Sequence, residues 1–316
     1  MRVNRQPPSR FIGSLLGVCC IVAFAAAPGA LAAEPQPPPM PQRAIAPPAT
    51  QPAGEQINLV DGDVKFLLYI PPDYHVPADG RVNLTVHFHT VVWFVIDEHR
   101  RRGITEPLAI FTLGEGSSTY RKPFEDEDRF ARILGLIENT LAHRMGPARV
   151  SVEQIDITSF SAGYGAVREI VKQERYWKKI RRIILADSLY ASWDPATTQP
   201  GATSRPASEN IEPWRAYVES AARGERTFVL THSMVPTSYA NTYACAKSLI
   251  EMVGAPVREI RLNEIPAASD PDFPLLYRAD KGKFHIWGYG GENAQAHMTH
   301  ARHLADVWLA LDAAGE

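Results

Sequence analysis

Short apolar runs alternate with amphipathic stretches along most of the chain, and that alternation sets the expected fold class. VKFLLYI (64–70), VNLTVHFH (82–89), PLAIFTL (107–113), QIDITSF (154–160), IRRIILA (180–186) and RTFVLT (226–231) are rich in Val, Ile, Leu and Phe and read as strands. VREIRL (257–262) and KFHIWGY (283–289) extend the series. Between them apolar residues recur at helical spacing. Phe130, Ile133, Leu134 and Ile137 form one stripe, Val167, Ile170 and Val171 a second, and Leu304, Val307, Trp308 and Leu311 a third. Nearly all-apolar strands alternating with helices predict an α/β domain of three layers, its mostly parallel central sheet covered by helices on both faces. The first two runs are joined by a short connection containing Pro and Gly but no helical pattern, so that end of the sheet is expected to be antiparallel. VREIRL is expected either to join the sheet or to pair with KFHIWGY.

Two regions depart from this rhythm. Residues 188–223 contain the polar, Pro-rich WDPATTQPGATSRPASEN and then a short helix near Glu212-Pro213-Trp214. An insertion of this kind after a strand predicts a small cap over the strand ends, with a disordered surface loop as the alternative for its middle. At the other extreme, EPQPPPMPQRAIAPPATQPAGE (34–55) is too rich in proline to pack a core and reads as a semi-rigid tether. Before it, Arg2, Arg5 and Arg10 precede an apolar run from Phe11 to Ala27, and Ala30-Leu31-Ala32 offers a small-x-small cleavage site. That is the pattern of a secretory signal peptide, with an uncleaved membrane anchor as the alternative. The expected organisation is therefore a signal at 1–32, a tether at 33–55 and one domain at 56–316, with a secreted or periplasmic location.

Charge and cysteine content narrow the classes further. The formal charge is −2, and removing the leader takes three arginines and no acid, leaving −5. A mildly acidic chain lacks the electrostatic footprint for nucleic acid or anionic lipid. Cys245 is the one cysteine outside the leader, so no internal disulfide is available and packing must hold the fold.

The candidate chemistry sits at ITSFSAGYGAVREI (157–170). Ser161 follows a strand and precedes a helix, with small residues, Ser159 and Gly163, two places to either side. A sharp strand-to-helix turn needs those small neighbours, and Gly165 is expected to let the helix approach the sheet. This arrangement resembles the nucleophile elbow of the α/β-hydrolase superfamily, G-x-S-x-G, with Ser159 in place of the first glycine. The resemblance implies a three-layer α/β-hydrolase fold and a Ser–Asp/Glu–His order along the chain.

A serine needs a base, and the base an orienting acid. The stretch after RTFVLT, HSMVPTSYANTYACAKSLI (232–250), holds no Asp or Glu, which moves the expected acid one strand earlier to Asp187. A turn cap is the competing role for Asp187, and Asp194 is a weaker candidate in the same segment. The base is expected between the last strand and the terminal helix, where His297, His300 and His303 lie; His297 comes first and is the choice, with His300 the alternative. Oxyanion donors are expected at the backbone N–H of Ala162 and at Thr90 or Val91, where the family often shows His-Gly and this chain has His89-Thr90. Tyr164, Trp193 and Trp214 are candidates to line a pocket under the cap, with packing as their competing role.

The resemblance thus implies an exported esterase-like serine hydrolase acting on a small-molecule or polymer ester without a cofactor. A catalytically inactive binding module and a serine peptidase on the same fold are the rival readings. Metal catalysis is disfavoured, since the His87/His89 pair is not followed by an acidic ligand and no H-E-x-x-H occurs.

Overall fold

The computed structural model describes residues 52–146, 149–197, 204–261, 264 and 273–316. The expected signal peptide and the tether up to residue 51 lie outside them, as does the middle of the cap segment. The strands are β1 (Glu55–Asp61), β2 (Val64–Ile70), β3 (Arg81–Phe88), β4 (Leu108–Phe111) and β5 (Ser151–Phe160). They continue with β6 (Ile180–Ala186), β7 (Thr227–His232), β8 (Val257–Glu259), β9 (Leu275–Lys281) and β10 (Phe284–Tyr289). Helices α1 (Val92–Arg101), α2 (Ser117–Phe124), α3 (Arg129–Met145), α4 (Tyr164–Val171) and α5 (Glu174–Trp177) fall in the first part of the chain. In the second part are α6 (Ser208–Ile211), α7 (Arg215–Ala222), α8 (Thr242–Val253), α9 (Ala294–Arg302) and α10 (Leu304–Ala313).

All ten strands form one sheet in the order β1-β2-β4-β3-β5-β6-β7-β10-β9-β8. From β4 through β10 neighbouring strands run parallel, while β1, β2, β8 and β9 pair antiparallel at the two ends. VREIRL therefore does join the sheet, but through β9 and not beside β10.

Side chains of successive strand residues point to opposite faces, and the core divides accordingly. Ile183 and Leu185 of β6, Phe228 and Leu230 of β7 and Ala109 and Phe111 of β4 pack with α3, α4, α7 and α8. Ile184, Ala186 and Val229 point the other way, against Leu304, Val307, Trp308 and Leu311 of α10. On that same side α1 brings Val95 and Ile96 onto Leu108 and Ile110. Because both faces are covered, the central strands read as continuous apolar runs.

The segment 188–223 divides in two. Its last part, α7, is the crossover helix between β6 and β7, with Tyr217, Val218 and Ala221 buried. Its first part lies over the strand ends, held by bridges from Ala191 to Ala240 and from Trp193 to Pro206. Among the described residues no helix is long and apolar enough to cross a membrane.

Candidate active site

The carboxyl ends of β3, β5 and β6 lie side by side, with Phe88 paired to Ser159 and Phe160 to Ala186. Ser161 follows β5 directly and takes φ 50°, a left-handed backbone that an L side chain adopts only under constraint. Gly163 is required two residues on: a Cβ there would meet the Phe88 carbonyl oxygen at 2.3 Å. Gly165 was expected to admit the sheet, but its neighbour is α2, with the Ser117 carbonyl oxygen 2.4 Å from where a Cβ would stand. The fourth helix crosses the start of the second closely, and that contact sets the requirement. A serine on a strained strand-to-helix turn in a β4-β3-β5-β6-β7 parallel core is decisive for the architecture. The fold is that of the α/β hydrolases.

Ser159, the departure from the elbow pattern, has a structural use. Its Oγ lies 2.8 Å from Ser188 Oγ, and the Ser188 hydroxyl donates to the Ser161 carbonyl at 2.8 Å. A glycine could not supply the first of these bonds.

Asp187 follows β6, also with positive φ (43°), and is 1% exposed. Its Oδ2 accepts from His297 Nδ1 at 2.7 Å and from the Ser233 hydroxyl at 2.6 Å, and its Oδ1 accepts from the Ser233 N–H at 3.3 Å. Burial alone would favour the neutral acid. The nearby His300 and His297 rings and the bonds from His297 and Ser233 outweigh it and hold the carboxyl well below the usual carboxylate range. Asp194 instead accepts from the Ala196 N–H within its own loop and is not part of this group.

His297 enters from α9. Asn293 caps that helix by accepting the Ala296 N–H at 2.9 Å, which fixes His297 in the first turn. Its ring stacks on Phe160, the residue before Ser161, at 4.6 Å between centroids. With Nδ1 turned to Asp187, Nε2 is the nitrogen left for another partner. His300 is placed differently: fully buried, it meets the Thr231 hydroxyl at 2.8 Å through Nδ1, and burial lowers its pKa to about 3. His303 pairs with Asp306 at 2.7 Å.

The loop after β3 lies next to the elbow through the contact of Gly163 with Phe88. His89 and Thr90 both have positive φ, 71° and 109°. The His89 ring accepts from or donates to the Tyr120 hydroxyl at 2.8 Å and lies nearly parallel to Phe160. Ala162 is buried directly after Ser161, and Val91 is exposed.

Of the aromatic candidates, Tyr164 packs beside Tyr190, with ring centroids 5.7 Å apart. Trp193 lines a cleft of about 860 Å³ with Arg205, Tyr239, Tyr243 and Lys247. That cleft adjoins the candidate triad without containing it: Tyr239 packs on Tyr190, whose hydroxyl donates to the Asp187 carbonyl at 3.1 Å. Trp214 does not face it. That residue is fully buried against Phe228 between the crossover helix and the sheet, because the chain there has already left the cap. Sequence reasoning missed Ser188 and Ser233; the signal was their position immediately beyond β6 and β7, where side chains converge on a parallel sheet's carboxyl edge. Among the described residues no group of His, Cys, Asp and Glu is placed to hold a metal ion.

No protein-family model matches the chain, and no curated protein does. Similar solved structures include a thermostable esterase, 11% identical, with a TM-score of 0.43 over 82% of this chain and 62% of that one. The chain thus spans under two thirds of that protein's length. Another is S-formylglutathione hydrolase from Staphylococcus aureus, 12% identical, TM-score 0.44, covering 82% of this chain and 96% of that one. A third is a thermophilic esterase from Thermogutta terrifontis, 14% identical, TM-score 0.46, covering 84% and 94%. At these identities the fold assignment rests on strand order and the elbow, and the chemistry on the chain's own side chains.

Proposed function

We propose that the chain is an exported serine hydrolase that cleaves carboxylic esters, with Ser161 as nucleophile, His297 as base and Asp187 as the orienting acid. The observation that carries this reading is the buried Asp187–His297 bond of 2.7 Å, made beside a serine held at positive φ. Asp187 and His297, distant in sequence, meet at the strand ends, where the His297 ring stacks on Phe160, the residue before Ser161. Fold maintenance alone does not call for two strained residues and a carboxylate bonded to a partly exposed imidazole at the same spot.

His297 Nε2 takes the Ser161 proton as Oγ attacks the ester carbonyl carbon. Asp187 stabilises the imidazolium through Nδ1–H and fixes the tautomer that leaves Nε2 able to accept. The tetrahedral oxyanion is bound by N–H groups of Ala162 and of the Thr90–Val91 loop. Collapse releases the alcohol, protonated by His297, and water then repeats the sequence on the acyl-enzyme. Export is supported by the charged, apolar and small-residue order of 1–32. No cofactor enters this scheme.

A fluorophosphonate probe is expected to label the wild type and not Ser161→Ala, and the wild type is expected to turn over nitrophenyl esters. A well-folded wild type that neither labels nor hydrolyses them would overturn the reading in favour of an inactive binding module. Cleavage of peptides but not esters would favour the peptidase.

A further inference from the structure

Among the described residues, four other than glycine have positive φ: His89, Thr90, Ser161 and Asp187. All four sit at the carboxyl ends of β3, β5 and β6. Backbone of this kind is strained and persists only where its surroundings enforce it. The enforcing groups are visible. Each strained residue has its carbonyl oxygen held by a side chain outside the proposed triad. His87 Nε2 lies 2.5 Å from the His89 oxygen, Thr112 Oγ1 donates to Thr90 at 2.7 Å, Ser188 Oγ to Ser161 at 2.8 Å and Tyr190 OH to Asp187 at 3.1 Å.

For the loop after β3 the holding has a direct chemical consequence. All peptide bonds here are trans, so each C=O and the N–H of the next residue point in opposite directions. Fixing the His89 oxygen on His87 therefore fixes the direction of the Thr90 N–H. Fixing the Thr90 oxygen on Thr112 does the same for the Val91 N–H. Neither N–H donates to another group among the described residues. Both are thus aimed donors with their charge unspent, next to the elbow.

We propose that His87, assisted by Thr112, is a positioning residue that builds the oxyanion hole by turning the Thr90 and Val91 N–H groups towards the reacting carbonyl. The proposal rests on the ester-hydrolase reading and extends it to residues that never touch substrate. His87 suits the task. A carbonyl oxygen can only accept, so Nε2 carries the proton and Nδ1 accepts from the Thr158 hydroxyl at 2.7 Å. Thr158 stands on β5 three residues before Ser161, so the ring ties the donor loop to the strand bearing the nucleophile. Burial lowers the His87 pKa to about 3, which keeps the ring neutral with a single N–H. It also explains how the chain dispenses with the glycine usual after the histidine: a side-chain clamp holds Thr90 at 109°, where glycine would settle unaided.

The test compares His87→Leu, which removes the donor, with His87→Gln, whose Nε2 can still reach the carbonyl. Thr112→Val and Thr112→Ser make the parallel pair. With nitrophenyl acetate, His87→Leu is expected to lower kcat by about 10- to 100-fold, somewhat less than outright loss of an oxyanion donor, with KM nearly unchanged. A trifluoromethyl ketone, which forms an oxyanion on binding, is expected to weaken as an inhibitor by a similar factor. A purely structural role would not move these two in parallel. Glutamine restores most of both, and Thr112→Val gives a smaller loss that serine restores. A folded His87→Leu with kcat within two-fold of wild type overturns the proposal, as does a drop in kcat without weaker ketone binding. Should His87→Leu fail to fold, the Thr112 pair decides, an unchanged kcat in Thr112→Val overturning it. A wild type inert towards both ester and ketone marks failure of the hydrolase reading itself, and the proposal falls with it.

Discussion

The Ser188 hydroxyl joins the Ser161 carbonyl to Ser159 Oγ, with both oxygens 2.8 Å away. A two-bond hydroxyl chain therefore fastens the turn bearing Ser161 to the end of β6. Ser188→Ala removes the clamp and leaves Ser159 Oγ buried without its partner, a loss of about 1–3 kcal/mol. Ser159→Gly leaves the Ser188 bond to Ser161 in place and is expected to cost less. Denaturant unfolding of both single variants and the double variant checks this. The double is expected to lose less than the sum, since the two hydroxyls act as one unit. Strict additivity would count against the relay.

Asp187→Asn is expected to lower kcat by about 10³- to 10⁴-fold with the fold intact, because an amide can stabilise neither the imidazolium nor the tautomer that leaves Nε2 free. Ser233→Ala removes a hydrogen bond to the same carboxylate, and about 1.5–3 kcal/mol is at stake for a bond to a charged group. Its effect on kcat is expected to be smaller but clear. Steady-state rates on a nitrophenyl ester, with circular dichroism as the control for folding, measure both. A near-normal rate in Asp187→Asn removes it from the proposed triad.

What the sequence disclosed follows from where residues sit in the sheet. Central strands such as β6 and β7 are buried on both faces, so their apolar runs announced them with nearly correct ends. β1 lies at the sheet's edge with its side chains partly exposed, and EQINLVD lacks the same signal. LLYRADK of β9 was hidden by charge: Arg278 is buried in the strand through its pairing with Asp280. At the site, the absence of any acid after β7 pointed to Asp187, and the bond with His297 lies there. Ser188 and Ser233 were marked only by their place just beyond β6 and β7, and His87 only as one of a histidine pair, since the role of each depends on which carbonyl or carboxylate faces it. No spacing rule encodes that. Trp214 was legible as an aromatic but not as a core residue, since the point where the cap ends and the crossover helix begins has no sequence marker.

Trp193 and Trp214 are expected to separate cleanly. Trp193→Ala alters the wall of the cleft and is expected to raise KM for bulky esters several-fold while leaving small acetates unaffected. Trp214→Ala empties a core site and is expected to lose about 3–5 kcal/mol of stability. Thermal unfolding together with KM on a short and a bulky ester distinguishes them. A selective KM effect from Trp214→Ala would put that side chain in the cleft wall and not in the core.

His285 links stability to pH at the sheet's opposite end. Its Nδ1 lies 2.7 Å from Asp280 Oδ1 and its Nε2 3.0 Å from Glu316 Oε2. Arg278 pairs with Asp280, and Arg182 with Asp312. Burial on its own favours the neutral ring, but the two carboxylates outweigh it and raise the pKa above the ordinary histidine value. A raised folded pKa means the folded state holds the proton more tightly than the unfolded chain. The stabilisation is therefore fully present below the unfolded value of about 6.5 and is lost as pH rises through the folded one. His285→Gln keeps hydrogen-bonding atoms but cannot take the charge. The gap in unfolding free energy between wild type and this variant is expected to be wide at pH 5.5 and narrower at pH 9, measured by urea unfolding. A gap that is constant, or that widens with pH, would show that the ring is held as a neutral hydrogen-bonding group and contributes no charge to the fold.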